Sequence, residues 1–411
     1  MSAADAFLFR SPATVAFGVG ASRRVGAAAA ALGRRALIVT DEVIAGLDGF
    51  AAIRGALQQA GVDVAVVSDV ESEAPTASLH RIVASAASQE ADVVIGVGGG
   101  SCIDTAKLVA LMLQHPADLP SLYGEALVPA RGLPMIAVPT TAGTGSEVSP
   151  VAVVTDPERA MKVGISSEHL IPTVALVDPE LTVACPRGVT IHSGLDALTH
   201  AVEAATTRRR GPDEMVASES LFNGATVLTD PLAHRAVALI LANLRRAAAA
   251  PDDIDARVAV SEASLLAGLA FANAGTALAH ALQYAIGARS HAPHGVGVAL
   301  LLPHVMRYNQ HHAAPAFHAL CAAAGLPVSV SEPAAPLVDA VESLMADLAA
   351  PRTLAELGIT HADLPDMATD AASIARLVKN NPRTPTVADL QGILGECLGG
   401  EPVGSATTQE T

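Results

Sequence analysis

The chain has 411 residues, enough for two or more domains and a large core, and 51% of them are hydrophobic. Its 25 basic and 41 acidic residues leave a net charge of −16, which repels nucleic acid and anionic membrane surfaces. Aromatic residues make up only 2% and Trp is absent, so the core must be built of Ala, Val, Leu and Ile. The four cysteines, Cys102, Cys185, Cys321 and Cys397, are scattered, with no pair at Cys-x-x-Cys spacing. That pattern fits a reducing, cytoplasmic setting rather than a disulfide framework. Met1 to Pro12 lacks the basic start and apolar run of a secretory signal. The long uncharged run Ala263–Ala288 is rich in Ala and Gly and carries Asn273, His280 and Gln283, so it reads as buried helix in a soluble core. Arg208-Arg209-Arg210 reads as a solvated turn.

In chain order, Ser11 to Gly18 alternates apolar and polar residues and reads as an entry strand, with Gly18-Val-Gly20 as a turn. Arg35-Ala-Leu-Ile-Val-Thr-Asp41 is a buried strand ending in an acid. Helix is predicted to Ala60, strand over Asp63–Asp69, and helix over Leu79–Gln89. A further strand through Val93–Val97 runs into Gly98-Gly99-Gly100-Ser101, and a helix follows through Asp104, Ala106 and Lys107. Such alternation of short apolar runs with helical segments predicts a parallel sheet in an α/β domain. Glycines at a strand-to-helix turn let backbone N–H groups approach a pyrophosphate, and they equally suit a tight turn with no ligand.

The strand Pro134-Met-Ile-Ala-Val-Pro139 leads into the hydroxyl- and Gly-rich loop Thr140–Pro150, at the strand end where α/β sheets bind ligands. Strand-like runs at Met161–Ile165 and Val174–Asp178 complete the first half. Helical spacing then dominates over Asp196–Thr206, Asp213–Leu228, Pro231–Ala250, Asp255–Leu269, Pro336–Leu348 and Ala371–Lys379. From Gly399 the tail is polar and is expected to be disordered.

Four residues carry the chemistry. Asp196 and His200 are four apart, so a helix projects them from one face. His280 ends an apolar stretch, and His294 sits in Pro-His-Gly, where a loop would bring an imidazole back. One carboxylate and three imidazoles suit a first-row divalent metal, Fe²⁺ or Zn²⁺. His192, read as a helix-start residue, and His291 and His304 are left outside this set.

Three motifs in order, Gly-Gly-Gly-Ser-Cys-Ile-Asp-Thr-Ala-Lys (98–107), Pro-Thr-Thr-Ala-Gly-Thr-Gly-Ser-Glu (139–147) and Asp-Ala-Leu-Thr-His-Ala-Val-Glu-Ala (196–204), come with His280, His294-Gly295 and Asn380-Asn-Pro-Arg383. On these the chain resembles the iron-containing, group III, alcohol dehydrogenases over nearly its full length. The resemblance implies the dehydroquinate-synthase-like architecture. An α/β Rossmann-like domain (1–189) would bind the dinucleotide, an all-α domain (190–398) would carry the metal, and a flexible tail (399–411) would follow. It makes Asp196, His200, His280 and His294 the metal ligands, with Fe²⁺ favoured over Zn²⁺. Gly98, Gly99, Gly100 and Ser101 would hold the pyrophosphate, with Asp104 also on the cofactor side. Thr140, Thr141, Thr144, Ser146 and Lys162 would lie along the nicotinamide and its ribose. Asp41 would face the adenosine ribose, accepting from a 2′-OH and repelling a 2′-phosphate, which favours NAD over NADP; a helix cap is its other reading.

The implied reaction is hydride transfer between an alcohol held at the metal, or an aldehyde in reverse, and NAD(H). A homodimer or higher homo-oligomer, a small-molecule alcohol or aldehyde substrate, and no nucleic-acid or membrane partner are expected. One position departs from the family: many members carry a second histidine four residues after the third ligand, and here it is Tyr284. A phenol is a poor proton shuttle near neutrality, so Tyr284 reads as pocket-lining. The tyrosine also resembles the hydroxyacid–oxoacid transhydrogenase branch, which with a maleylacetate-reductase-like enzyme forms the alternative. An acidic substrate would need an arginine such as Arg289 to reach the cleft.

Overall fold

The computed structural model describes residues 7–159, 161–211, 214, 220–290 and 292–399. Its first half contains strands β1 (Thr14–Phe17), β2 (Arg35–Val39), β3 (Asp63–Val67) and β4 (Val93–Gly98). Between and after them lie helices α1 (Val25–Ala30), α2 (Glu42–Ala45), α3 (Asp48–Gln59), α4 (Thr76–Ala86) and α5 (Gly100–Gln114). Strands β5 (Gly124–Glu125), β6 (Met135–Pro139), β7 (Val151–Asp156), β8 (Met161–Ser166) and β9 (Val174–Val177) follow. Six strands form one parallel sheet in the order β1-β9-β6-β4-β2-β3, and β5, β8 and β7 form a small second sheet.

The period of two in the strands sets the layers. Ala36, Ile38, Val93, Ile95, Ile136 and Val138 pack on one face, while Leu37, Val39, Val94, Met135 and Ala137 pack on the other. Both faces are therefore covered, which is why these strands read as unbroken apolar runs. The chain passes outward from β2 to β3 and then returns to place β4 on the other side of β2. A crevice opens at the carboxyl ends of two strands whose connections run in opposite directions. Asp41, just after β2, and Gly99, just after β4, lie at that point.

The second half is helical: α6 (Arg187–Thr206), α7 (Thr229–Ala249), α8 (Ile254–Ala274), α9 (Leu278–Ser290), α10 (His294–Asn309), α11 (Ala314–Ala323) and α12 (Ala335–Asp347), then α13 (Leu364–Ser373), α14 (Ala375–Asn380) and α15 (Val387–Cys397). Helix α6 runs through the middle, buried on nearly all sides from Gly194 to Thr206. Among the described residues no single helix is long and apolar enough to cross a membrane, and a bend of 102° separates α8 from α9 within the uncharged Ala263–Ala288 run.

The structure departs from the sequence expectations in several places. Helix α6 begins at Arg187, so His192 sits well inside it rather than at its start, and His294 opens α10 instead of lying in a loop. His280 belongs to α9, beyond the break that ends the preceding helix. Of the helix expected over Asp213–Leu228, residues 213 and 215–219 lie outside the described residues, as do His291 and the tail beyond 399. Residues 220–228 are irregular because their donors go elsewhere: Leu221 N donates to Glu125 (2.6 Å) and Asn223 N to the carbonyl of Asn273 (2.8 Å). The stretch expected as one helix over Ala371–Lys379 is broken at Ile374, and strand β7, antiparallel to β8, was not foreseen. The Arg208–Arg210 segment is irregular rather than a defined turn, and Arg208 pairs with Glu214 and Arg209 with Asp230.

The two halves meet where the Thr140–Pro150 loop touches α8. Gly145 has a φ of +59°, and a Cβ there would lie 2.6 Å from the Gly268 Cα. Gly145→Ala is expected to destabilise the protein by about 2–4 kcal/mol, from left-handed strain plus overpacking. A urea unfolding curve with an unchanged midpoint would contradict this.

Candidate active site

Two connected hollows lie at the carboxyl edge of the sheet. The outer cleft, about 910 Å³, is lined by Asp41, Gly99, Thr140, Thr141 and Cys185 among others. The inner cavity, about 330 Å³, holds Asp196, His200, His280 and His294 on its helical wall. Ser72, Gly100 and Ser101 line both, so an elongated ligand can run from one into the other. Register explains the junction: Gly98 of β4 pairs with Pro139 of β6, and Thr140 N donates to the Gly98 carbonyl at 3.0 Å. The glycine loop and the Thr-rich loop are therefore neighbours.

The inner cavity gathers the four predicted donors. Asp196 Oδ1 lies 3.9 Å from His200 Nδ1, 3.8 Å from His280 Nε2 and 3.7 Å from His294 Nε2. Ligand atoms of Asp196, His280 and His294 all fall within 4.8 Å of one another. Asp196 Oδ1, His200 Nδ1 and His280 Nε2 are buried without a hydrogen-bond partner among the described residues. Leaving such atoms unpaired is costly, and the grouping of Asp196, His280 and His294 fits a divalent cation, with His200 Nδ1 beside Asp196 but outside that close set. Burial pushes the Asp196 carboxyl up to about 7, with His280 opposing. It holds His200 and His294 well below the ordinary imidazole range, with the charge of His280 adding to the effect. Neutral imidazoles are the form that ligates a metal.

Sequence reasoning missed the residue that orients this cluster. Glu203, one further turn along α6 on the face of Asp196 and His200, accepts from His280 Nδ1 at 2.6 Å. It also accepts from Ala277 N (2.8 Å) and Ala279 N (2.6 Å) at the start of α9. The i, i+4, i+7 spacing of Asp196, His200 and Glu203 was the signal, and the quoted motif contains all three. With Nδ1 engaged, Nε2 of His280 faces the cavity. Phe271 stacks on His200 with ring centroids 4.2 Å apart.

The expected cofactor residues divide by hollow. Asp41, Thr140 and Thr141 line the outer cleft, while Asp104, Thr144, Ser146 and Lys162 line the inner cavity. Asp41 Oδ1 caps α2 through Ile44 N at 2.8 Å, and its Oδ2 accepts from Cys102 Sγ at 3.4 Å. Gly98 lines neither hollow. It shapes the turn, with a φ of +145° and no room for a Cβ beside Cys102. The Asp104 carboxylate accepts from Ser146 Oγ and from Val153 N (2.9 Å), so it ties the two loops together. Lys162 pairs with Glu73 at 2.7 Å, and Ser101 Oγ accepts from Glu73 N. Tyr284 lines the inner cavity, and burial pushes its phenol above the ordinary range. Arg289 stays out of the cavity, paired with Asp370 at 3.1 Å.

Residues 12–179 match the family described as iron-containing alcohol dehydrogenase, and residues 190–398 match the C-terminal region of the Fe-containing alcohol dehydrogenase family. The long-chain-alcohol dehydrogenase 1 of Geobacillus thermodenitrificans (strain NG80-2) is 37% identical over 371 residues, covering 89% of each chain. The NAD-dependent methanol dehydrogenase of Bacillus methanolicus is 33% identical over 394 residues, covering 95% of this chain and 99% of its own. A crystal structure of a 1,3-propanediol oxidoreductase superposes with a TM-score of 0.89 at 32% identity, covering 96% of this chain and all of the other. The chain therefore belongs to the iron-containing alcohol dehydrogenase family. It is an oxidoreductase acting between alcohols and their carbonyl counterparts.

Beneath the loops lies a buried charge cluster. Lys107 donates to the Ser149 and Val151 carbonyls, and burial lowers it to about 8 against the pull of Asp104 and Glu147. Burial pushes the Glu147 carboxyl up to about 7. A carboxyl raised in the folded state binds more protons there than when unfolded, so it subtracts stability as pH climbs from 4.5 towards 7. Glu147→Gln is expected to gain stability relative to the parent between about pH 5 and pH 8. Urea midpoints at both ends of that range check it, and a difference that does not grow with pH would refute it.

Proposed function

We propose that this protein is a metal-dependent alcohol dehydrogenase that moves hydride between a small alcohol or aldehyde and NAD(H). Residues 1–189 form the dinucleotide-binding part and residues 190–398 the metal-bearing catalytic part. The observation that carries this reading is the set of three unsatisfied buried donors, with His294 beside them, in a cavity that opens into the cleft at the sheet's switch point. Asp196, His200, His280 and His294 would hold a divalent ion, Fe²⁺ by family. The NAD-dependent relative supports NAD as the partner.

When bound, these two groups supply a Lewis acid at the substrate oxygen and a hydride acceptor beside its carbon. The chain's own residues supply position. Glu203 fixes the tautomer and direction of His280, and Phe271 fixes the plane of His200. Gly99, Gly100 and Ser101, at the start of α5, offer free backbone N–H groups and a partial positive charge to a pyrophosphate. Tyr284 walls the substrate space, and its buried, neutral phenol excludes water rather than carrying a proton. Asp41, held by its cap, presents a negative charge to the adenosine ribose. The exposed edge of β1, with Val15 and Phe17 about a third exposed, is where a second copy would pair to make a homodimer. The free cysteines support a cytoplasmic setting.

Elemental analysis of chelator-free protein is expected to find about one metal per chain, with activity lost on chelation and restored by Fe²⁺. Glu203→Gln should weaken metal affinity about 10- to 100-fold in a competition titration. Full activity in a metal-free preparation would refute the assignment. Asp41→Ser keeps a capping oxygen but removes the charge. It should raise the NADPH-to-NADH ratio of kcat/KM by roughly tenfold or more, and an unchanged ratio would remove Asp41 from cofactor selection.

A further inference from the structure

We infer that the substrates of this site, taking the dehydrogenase reading above, carry an oxyanion at the end away from the reacting carbon, and that Arg376 selects them. Arg376 projects from α14 and lines the same inner cavity as Asp196, His200, His280 and His294. Its guanidinium lies over the ring of Phe222, with its central carbon 4.7 Å from the ring centroid. Phe222 also lines the cavity, so one face of the guanidinium is covered and its N–H edge is left to serve as donor.

The charges around the cavity are otherwise accounted for. Glu73 pairs with Lys162, Asp104 accepts from Ser146 and Val153, and Asp196 faces the three imidazoles. Arg376 has no carboxylate within ion-pairing distance among the described residues. That distinguishes it from Arg289, Arg245 and Arg307, each of which meets an acid at the surface.

The position of Arg376 is also built rather than incidental. Asn380, at the end of the same short helix, donates to the carbonyls of Ala274 (2.9 Å) and Thr276 (3.1 Å). Those carbonyls belong to the break before α9, the helix that carries His280 and Tyr284. The helix bearing Arg376 is thus tied to the backbone that sets the donor cluster. In a chain of net charge −16, an unpaired cation inside a concave, partly apolar cavity is a focused positive potential. A guanidinium fork matches the two oxygens of a carboxylate, and equally two oxygens of a sulfonate. The substrate class is therefore a short hydroxy- or oxo-compound with a carboxylate or sulfonate tail.

The test uses the metal-loaded full chain with NADH and three aldehydes of similar length: succinic semialdehyde, its sulfonate analogue and butanal. The parent enzyme should prefer an anionic aldehyde to butanal, and the better of the two identifies the oxyanion. Arg376→Ala should lower the charged-to-neutral ratio of kcat/KM about 10- to 100-fold, mainly through KM, with Arg376→Lys intermediate. If Arg376 served only to pack on Phe222, the variant would lose charged and neutral turnover alike, and that result overturns the inference. Calorimetric titration with succinate provides a readout that needs no turnover. Binding to the parent and its loss in Arg376→Ala support the anion site even in a preparation that reduces nothing, an outcome that would sink the dehydrogenase reading alone. Turnover of butanal with no succinate binding and no charge preference sinks the anion site alone.

Discussion

Glu203 is the contact on which the rest of the site depends. Its carboxylate, buried inside the helical half, reaches from α6 to the first turn of α9 and accepts from two backbone N–H groups and one imidazole. Those backbone donors are among the ones a helix start leaves without partners, so a residue more than seventy positions away supplies the cap that local sequence lacks. The same oxygens fix the His280 ring. Helix start, helix direction and ligand orientation are thereby settled by one side chain. A buried carboxylate without such donors would be strongly destabilising, so the arrangement is worth most when complete.

The sheet supplies the other half of the geometry by a different kind of constraint. Its strands fix where the loops emerge, through register, and its order fixes where a crevice must open. The glycine loop and the Thr-rich loop leave adjacent strands at the same level and are then joined by Asp104. The two clefts meet at Ser72, Gly100 and Ser101, the last two at the start of α5. Covalent continuity plays little part in this: the donors that face the cavity come from α6, α9 and α10, and the loops from β4 and β6.

Much of this was legible in the sequence because it rests on local periodicity. The apolar runs at 36–39 and 93–97 announced a sheet buried on both faces, and the four-residue spacing of Asp196 and His200 announced a shared helix face. The long motifs, by family resemblance, carried the cofactor loops. What escaped depended on distant partners. Nothing near His294 says that it opens a helix instead of lying in a loop, and nothing near residue 220 says that its backbone will bond to Glu125. The role of Glu203 depends on donors at the start of α9, and that of Arg376 on α14 lying beside the cavity. Gly98, expected beside the pyrophosphate, has a φ of +145° that shapes the turn presenting its neighbours.

The meeting of Gly145 with Gly268 has a consequence for how such an enzyme can diversify. A Cβ on either residue would crowd the Cα of the other, so at this point the two backbones approach each other directly. The spacing between the cofactor side and the donor cluster is then anchored to atoms that every amino acid shares. Side chains lining the cavity, such as Phe222, Tyr284 and Arg376, can be exchanged without altering that spacing. A lineage built on this contact is free to alter what it accepts while its reactive centres stay in register.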